Sequence, residues 1–252
     1  MIGSGIPERR RWPALPVPRL SVVIPAFNEE ESIEECVAEV CRVMDSLGGA
    51  YEVIVVDDGS TDGTFERLRS LKAQYAALRV LRFSRNCGQT AAMDAGFKNA
   101  RGELVATLDA DRQNDPADIP RMLELAKEWD VVCGVRANRA DTLVRKMSSR
   151  IGNGVRNWLT HENIADTGCT LKIFRREHVR KLKLFKGMHR FLPTLLRMEG
   201  CAVTEVPVNH RPRLRGKAKY GVWNRAFRGL RDVFAVRWMQ SRSIRYEIKE
   251  EL

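Results

Sequence analysis

Four carboxylates stand where apolar, strand-like runs give way to loops: Asp57 and Asp58 after Val53–Val56, and Asp109 and Asp111 after Leu104–Leu108. Carboxylates converging on one sheet edge repel each other and need a cation or hydrogen-bond donors to hold them there. An i, i+2 pair released from a strand into a loop can reach one bound object, one carboxylate through a metal and the other through a ribose hydroxyl. All-oxygen ligands favour a hard cation, Mg2+ or Mn2+, which keeps waters and shares a diphosphate. The turn Asp58-Gly59-Ser60 also suits a helix N-cap, a role compatible with ligand contact.

The elements that must position these groups follow from hydrophobic periodicity. Strand-like Leu20–Ile24, Tyr51–Val56, Leu78–Phe83, Leu104–Leu108 and Asp130–Val135 alternate with helix-period segments. The first helix carries Ile33, Val37, Val40, Met44 and Leu47 at spacings of three and four, and others fall near 61–75, 90–100 and 117–128. Uninterrupted Val/Ile runs predict strands covered on both faces, hence an α/β fold with a mostly parallel sheet and helices on each side. Ligands of such sheets sit beyond the carboxyl ends of the strands. Val203–Val208 reads as one further strand and 223–240 as a terminal helix. Residues 1–19, with four prolines and no periodicity, predict a disordered lead-in, followed by a catalytic domain over 20–220 and a basic helix and tail over 221–252.

At 252 residues, 44% hydrophobic and 30% charged, the composition is that of a globular protein and excludes collagen-like, disordered and disulfide-scaffold classes. No apolar run is long enough to span a bilayer or serve as a secretion signal, so a cytoplasmic location is expected. The six cysteines form no C-x-x-C pair and read as small buried hydrophobes. His161, His178, His189 and His210 lack metal-ligand spacing and read as surface or supporting residues. No P-loop motif occurs and no G-x-G-x-x-G follows the first strand. The net charge of +11 is unevenly spread: residues 131–246 hold 26 Lys and Arg against 7 Asp and Glu. A basic half beside an acidic one suggests a metal or sugar site next to a surface that meets phosphates.

The runs Leu20-Ser21-Val22-Val23-Ile24-Pro25-Ala26-Phe27-Asn28-Glu29-Glu30, Val55-Val56-Asp57-Asp58-Gly59-Ser60-Thr61-Asp62-Gly63-Thr64 and Leu108-Asp109-Ala110-Asp111-Arg112-Gln113 resemble the signature of family-2 inverting glycosyltransferases. Gly134-Val135-Arg136, Asp166-Thr167-Gly168-Cys169, Phe174-Arg175-Arg176-Glu177 and the run from Arg213 to Tyr220 extend the resemblance to the polyprenyl-phosphate branch, typified by dolichol-phosphate mannose synthase. The resemblance implies a GT-A-type, Rossmann-like fold. It implies that Pro25, Phe27, Glu29, Val56, Asp58, Asp109, Ala110, Asp111, Gln113 and Arg213 hold a nucleotide-sugar, with Asp109, Asp111 and Gln113 at the metal. Asp111, Arg213 and Lys219 would then carry catalysis, the two basic residues neutralising the departing diphosphate. Arg136, Arg145, Ser149 and Arg150 are candidates for an acceptor phosphate, with Asp166 orienting the acceptor. Three positions depart from the family pattern: Phe27 for Tyr, Arg112 for Leu, and Ala218 for Ser. They bear on donor positioning more than on reaction type.

The expected reaction moves a sugar from a UDP- or GDP-linked donor to a polyprenyl phosphate, undecaprenyl or dolichyl, at the cytoplasmic membrane face. A saccharide or protein hydroxyl acceptor is the alternative, and a basic nucleic-acid binder a remote one; the reading itself expects no nucleic-acid partner. In the terminal helix Trp223, Ala226, Phe227, Leu230, Val233, Phe234 and Trp238 recur at helical spacing with arginines between them. That pattern fits either an anionic membrane surface or packing on the domain. A separate membrane subunit is a further partner this pattern allows.

Overall fold

The computed structural model describes residues 20–137, 154, 156–160, 162–212, 222–244 and 250, without the side chains of 222–228. Arg145, Ser149, Arg150, Arg213, Ala218, Lys219 and the lead-in 1–19 lie outside the described residues.

The first half winds as the apolar pattern predicts. Strand β1 (Leu20–Ala26) is followed by helix α1 (Ile33–Ser46), β2 (Tyr51–Asp57), α2 (Thr64–Gln74), β3 (Leu78–Arg82), α3 (Gln89–Asn99) and β4 (Leu104–Thr107). A 3-10 turn at Pro116–Asp118 leads into α4 (Ile119–Leu125) and then β5 (Val131–Arg136). Burial explains the strands: Val22, Val23, Ile24 and Val53 to Val56 are all wholly buried, because α1 covers one face and α3 the other. Gly96 lets α3 approach β1 closely, since a Cβ there would collide with the Val23 side chain.

The second half departs from the expected alternation. After β5 the chain returns through β6 (Lys172–Arg175), which runs antiparallel between β4 and β5. Two short helices, α5 (Arg176–Lys181) and α6 (Leu192–Met198), precede β7 (Val203–Val208), and α7 (Val222–Ser241) closes the described chain. The seven strands are ordered β3-β2-β1-β4-β6-β5-β7, parallel except at β6.

Helix α7 has two apolar faces rather than the single one the spacing suggested. Val233 and Val236 are buried in the cluster that includes Phe97, Phe174 and Leu192, and Gln240 Nε2 donates to the Thr160 carbonyl at 2.8 Å. Leu230, Phe234 and Trp238, one turn apart from each other, stay 44, 56 and 64% exposed. Among the described residues no helix is long and apolar enough to cross a membrane.

Candidate functional site

The carboxyl ends of β1, β2 and β4 carry the predicted site residues, and hydrogen bonds tie their loops together. Asp58 is buried, and both its oxygens accept from the loop after β3. Oδ1 takes the Cys87 N–H at 2.7 Å and the Gly88 N–H at 3.2 Å; Oδ2 takes Asn86 Nδ2 and the Gly88 N–H, each at 2.9 Å. Burial pushes the Asp58 carboxyl up, while these backbone donors pull it down. Gly59, at φ +70°, could not be another residue: its Cβ would enter the Arg85–Asn86 backbone. The β1 loop docks on the same turn, with Asn28 N–H on Ser60 Oγ, Glu29 N–H on Thr64 Oγ1, and Asn28 Oδ1 accepting the Thr61 N–H.

Gln89, the residue after Gly88, continues from Asp58 to Asp109: its Nε2 donates to Asp109 Oδ1 at 2.9 Å. Thr170 Oγ1 lies 2.7 Å from Asp109 Oδ2 and 2.9 Å from Asn114 Oδ1, which also accepts the Asp109 N–H. Burial, and next the charge of Asp111, push the Asp109 carboxyl up to about 6; Thr170 and Lys172 oppose the shift. Asp111 Oδ1 accepts the Gln113 N–H at 3.2 Å, which turns the loop back toward the sheet. A carboxylate crowded by a second one in a desolvated pocket is what a dication relieves, so the donor set fits a hard cation. Asp109 and Asp111 would hold it. Gln113 Nε2 lies 3.5 Å from the Arg211 carbonyl.

Arg112, at φ +62°, points out of this loop onto α1, where it pairs with Glu35 and lies 3.7 Å from Glu39. Glu39 also holds Arg211 at 2.6 Å, and Arg211 N–H donates to the Gln113 carbonyl at 2.9 Å. The chain two residues before Arg213 is thereby fastened to the Asp109–Gln113 loop.

On the other side, Arg136 closes a fork on Asp166, Nε to Oδ2 at 2.7 Å and Nη2 to Oδ1 at 2.8 Å. A Cβ at Gly168 would meet that guanidinium at 2.8 Å, so a side chain there would press on the fork. Asp166 therefore orients an arginine, the geometry in which carboxylate and guanidinium bind most firmly.

Three sequence expectations change. Asp57 is not part of the converging cluster: it is wholly buried, accepts the Ser60 N–H at 2.9 Å and lies 3.4 Å from Arg82 Nε, clasping the loop instead. Val56 and Ala110 are core side chains, so any ligand contact there is through backbone. Cys87 is exposed, unlike the other five cysteines. Pro25, Phe27 and Glu29 lie at the site edge, partly exposed. Sequence reasoning missed Gln89, Asn114, Thr170 and Lys172. The first had a signal, a polar residue just past a strand; Lys172, buried on β6 with Nζ on the Cys169 carbonyl, had none. His189, whose Nδ1 lies 2.7 Å from Thr90 Oγ1, is driven by burial down to about 3 and is neutral at pH 7.

The family model for glycosyl transferase family 2 matches residues 21–183. The dodecaprenyl-phosphate galacturonate synthase of Rhizobium johnstonii is 43% identical over 223 residues, covering 86% of this chain and 66% of that protein. The undecaprenyl-phosphate 4-deoxy-4-formamido-L-arabinose transferase of Edwardsiella ictaluri is 39% identical, covering 81% and 63%. The chain thus spans just under two thirds of the length of these relatives. Among solved structures, glucosyl-3-phosphoglycerate synthase from Mycobacterium tuberculosis with Mn2+, uridine diphosphate and phosphoglyceric acid superposes with TM-score 0.67, at 20% identity over 91% of this chain and 80% of that one. A mannosyltransferase from Pyrobaculum calidifontis with GDP-mannose and Mn2+ gives 0.63 at 23% identity, over 86% and 63%. The fold is the GT-A type.

In the metal-free protein the raised Asp109 group makes folding bind a proton that the unfolded chain has released, so stability falls as pH rises from about 4 to about 6. Asp109→Asn should therefore raise the metal-free melting temperature at pH 7.5, by on the order of 2 kcal/mol in stability. The gain should fade toward pH 4; melting curves showing a loss at pH 7.5, or a gain independent of pH, would contradict the assignment.

Proposed function

The chain belongs to glycosyl transferase family 2, and we propose that it moves a sugar, with inversion, from a UDP- or GDP-linked donor to a polyprenyl phosphate, peripherally at the cytoplasmic membrane face. The observation that carries this is the joined loop system in which Asp58, Gln89, Asp109 and Asp111 face one strand-end edge. It ends in two crowded carboxylates. Mg2+ or Mn2+ bound there supplies charge neutralisation for the donor diphosphate. The two relatives named above, whose names state polyprenyl-phosphate substrates, support the acceptor class.

In this reading Asp58 fixes the 86–89 loop and Asp109 the ribose end of the site. Arg213 and Lys219 meet the leaving diphosphate; Arg211, two residues before Arg213 in the chain, is fastened to the loop that carries Asp111. Arg136, oriented by Asp166, meets the acceptor phosphate with Arg145, Ser149 and Arg150. A phosphate monoester's second pKa is near 6, so its oxygen is already anionic at neutral pH and needs no strong general base. Direct attack at the anomeric carbon expels the nucleoside diphosphate from the opposite face and inverts the configuration. Catalysis is then positioning and electrostatics. The exposed Leu230, Phe234 and Trp238, beside exposed Arg231 and Arg242, suit the interface of an anionic membrane.

Transfer of radiolabelled sugar from UDP- and GDP-sugars into organic-extractable polyprenyl phosphate tests the proposal. Label should enter the lipid phase only with Mg2+ or Mn2+, and Asp111→Ala and Arg213→Ala should each cut the rate at least about 100-fold in chains that still melt cooperatively. Near-normal rates in both variants, or transfer to a hydroxyl acceptor alone, would overturn it. Phe234→Ser with Trp238→Ser should weaken co-sedimentation with anionic vesicles without lowering the melting temperature; undiminished binding would remove the membrane role of α7.

A further inference from the structure

At the opposite end of the sheet from the carboxylate pair, three side chains of different elements meet. Asp130 precedes β5, His178 lies on α5, and Cys201 precedes β7. One ligand atom of each, a carboxylate oxygen, an imidazole nitrogen and the sulfur, all lie within 4.8 Å of one another. Nothing in their sequence spacing announces this, because the backbone brings them together. Asp130 and Val131 N–H groups both donate to the Ala202 carbonyl, and the Ala202 N–H returns to Asp130 Oδ2 at 2.9 Å. That exchange leaves Asp130 Oδ1 directed at the cluster.

Among the buried atoms there without a hydrogen-bond partner are Asp130 Oδ1 and His178 Nε2, 3.7 Å apart. Buried polar atoms are nearly always satisfied, so a carboxylate oxygen and an imidazole nitrogen left at this distance beside a thiol leave a place for a bridging group. Cys201 is 4% exposed, and the carboxylates of Asp130, Glu199 and Glu177 all act on its sulfur, against Lys181. Glu177 Oε1 also lies 3.7 Å from His178 Nε2. Arg175 is the opposing charge, its Nε 3.6 Å from Asp130 Oδ1. The carboxylates of Asp130 and Glu177 face the cluster beside it.

We propose that Asp130, His178 and Cys201 form a structural binding site for a divalent metal of the zinc type, with Glu177 or a water as fourth ligand. The donor set of sulfur, imidazole nitrogen and carboxylate oxygen selects zinc over the hard cations that suit Asp109 and Asp111. Tetrahedral zinc spaces its donors about 3.3–3.8 Å apart, a contraction of at most about 1.5 Å from the separation seen here. Binding releases the Cys201 proton to solvent and leaves a thiolate on the metal. The ion would pin the starts of β5 and β7 to α5, and so brace the half of the sheet where β6 breaks the parallel order.

The full chain, stripped with chelator and titrated with Co2+, tests this. Thiolate-to-cobalt charge-transfer absorption should rise to one equivalent and be displaced by Zn2+. The catalytic carboxylates, having no sulfur, cannot produce that band. Cys201→Ala should abolish it, and His178→Gln should weaken cobalt binding by more than about 100-fold, since even supporting residues around a metal are worth 10- to 100-fold. Zinc should also raise the melting temperature of the wild type and not of Cys201→Ala. Absence of the band in a chain that melts cooperatively, or its persistence in Cys201→Ala, would overturn the proposal. So would a His178→Gln variant that loses stability equally with and without zinc, the mark of a plain ion pair between His178 and Asp130.

Discussion

The charge crowding of Asp109 and Asp111 is the constraint that the site half of the molecule is built to hold. Two carboxylates two residues apart at the end of a buried strand repel each other, and burial makes the repulsion stronger. The surrounding chain opposes it with hydrogen bonds to Asp109: Gln89 on one oxygen, Thr170 on the other, and Asn114 on the backbone. Lys172, buried on β6, is the cation whose field acts on Asp109 from behind. The antiparallel insertion of β6 next to β4 therefore has an electrostatic consequence, because the strand carries Lys172, and the loop leading into it carries Thr170, to the site.

A second layer of ion pairs holds the loop from outside. Glu35 and Glu39 on α1 take Arg112, and Glu39 takes Arg211 as well. The Arg112 that replaces the family's usual Leu is thus a surface tether, and its left-handed backbone turns the side chain away from the carboxylate pair. Asp58 does the comparable work for the loop after β3, spending both of its oxygens on backbone and Asn86 donors. Rigid loops of this kind reduce what a nucleotide must order on binding.

The parallel half of the fold was legible in the sequence because strands buried on both faces must be continuous apolar runs, as Val53–Val56 is. Strand β6 was not. It is four residues long and begins and ends with Lys172 and Arg175, charges that read as loop and yet are buried by neighbours distant in sequence. The helices α5 and α6, of six and seven residues, are too short to show a period. At the site, residue type located Asp58, Asp109 and Asp111, but not which way a side chain turns. Asp57 and Asp58 are adjacent and identical, and the strand pleat sends one inward to Arg82 and the other toward the loop after β3. In α7 the spacing merged two stripes, one packed by Val233 and Val236 and one left exposed at Phe234 and Trp238.

The proposed chemistry has Asp109 and Asp111 hold a hard cation together with a nucleoside diphosphate. Mn2+ binding followed by electron paramagnetic resonance, with and without UDP or GDP, measures it directly. The account predicts weak binding of Mn2+ alone, binding at least about tenfold tighter with one of the diphosphates because the cation bridges carboxylate and phosphate oxygens, and loss of that coupling in Asp111→Ala. Mn2+ affinity that neither diphosphate changes, or coupling that survives Asp111→Ala, would contradict it.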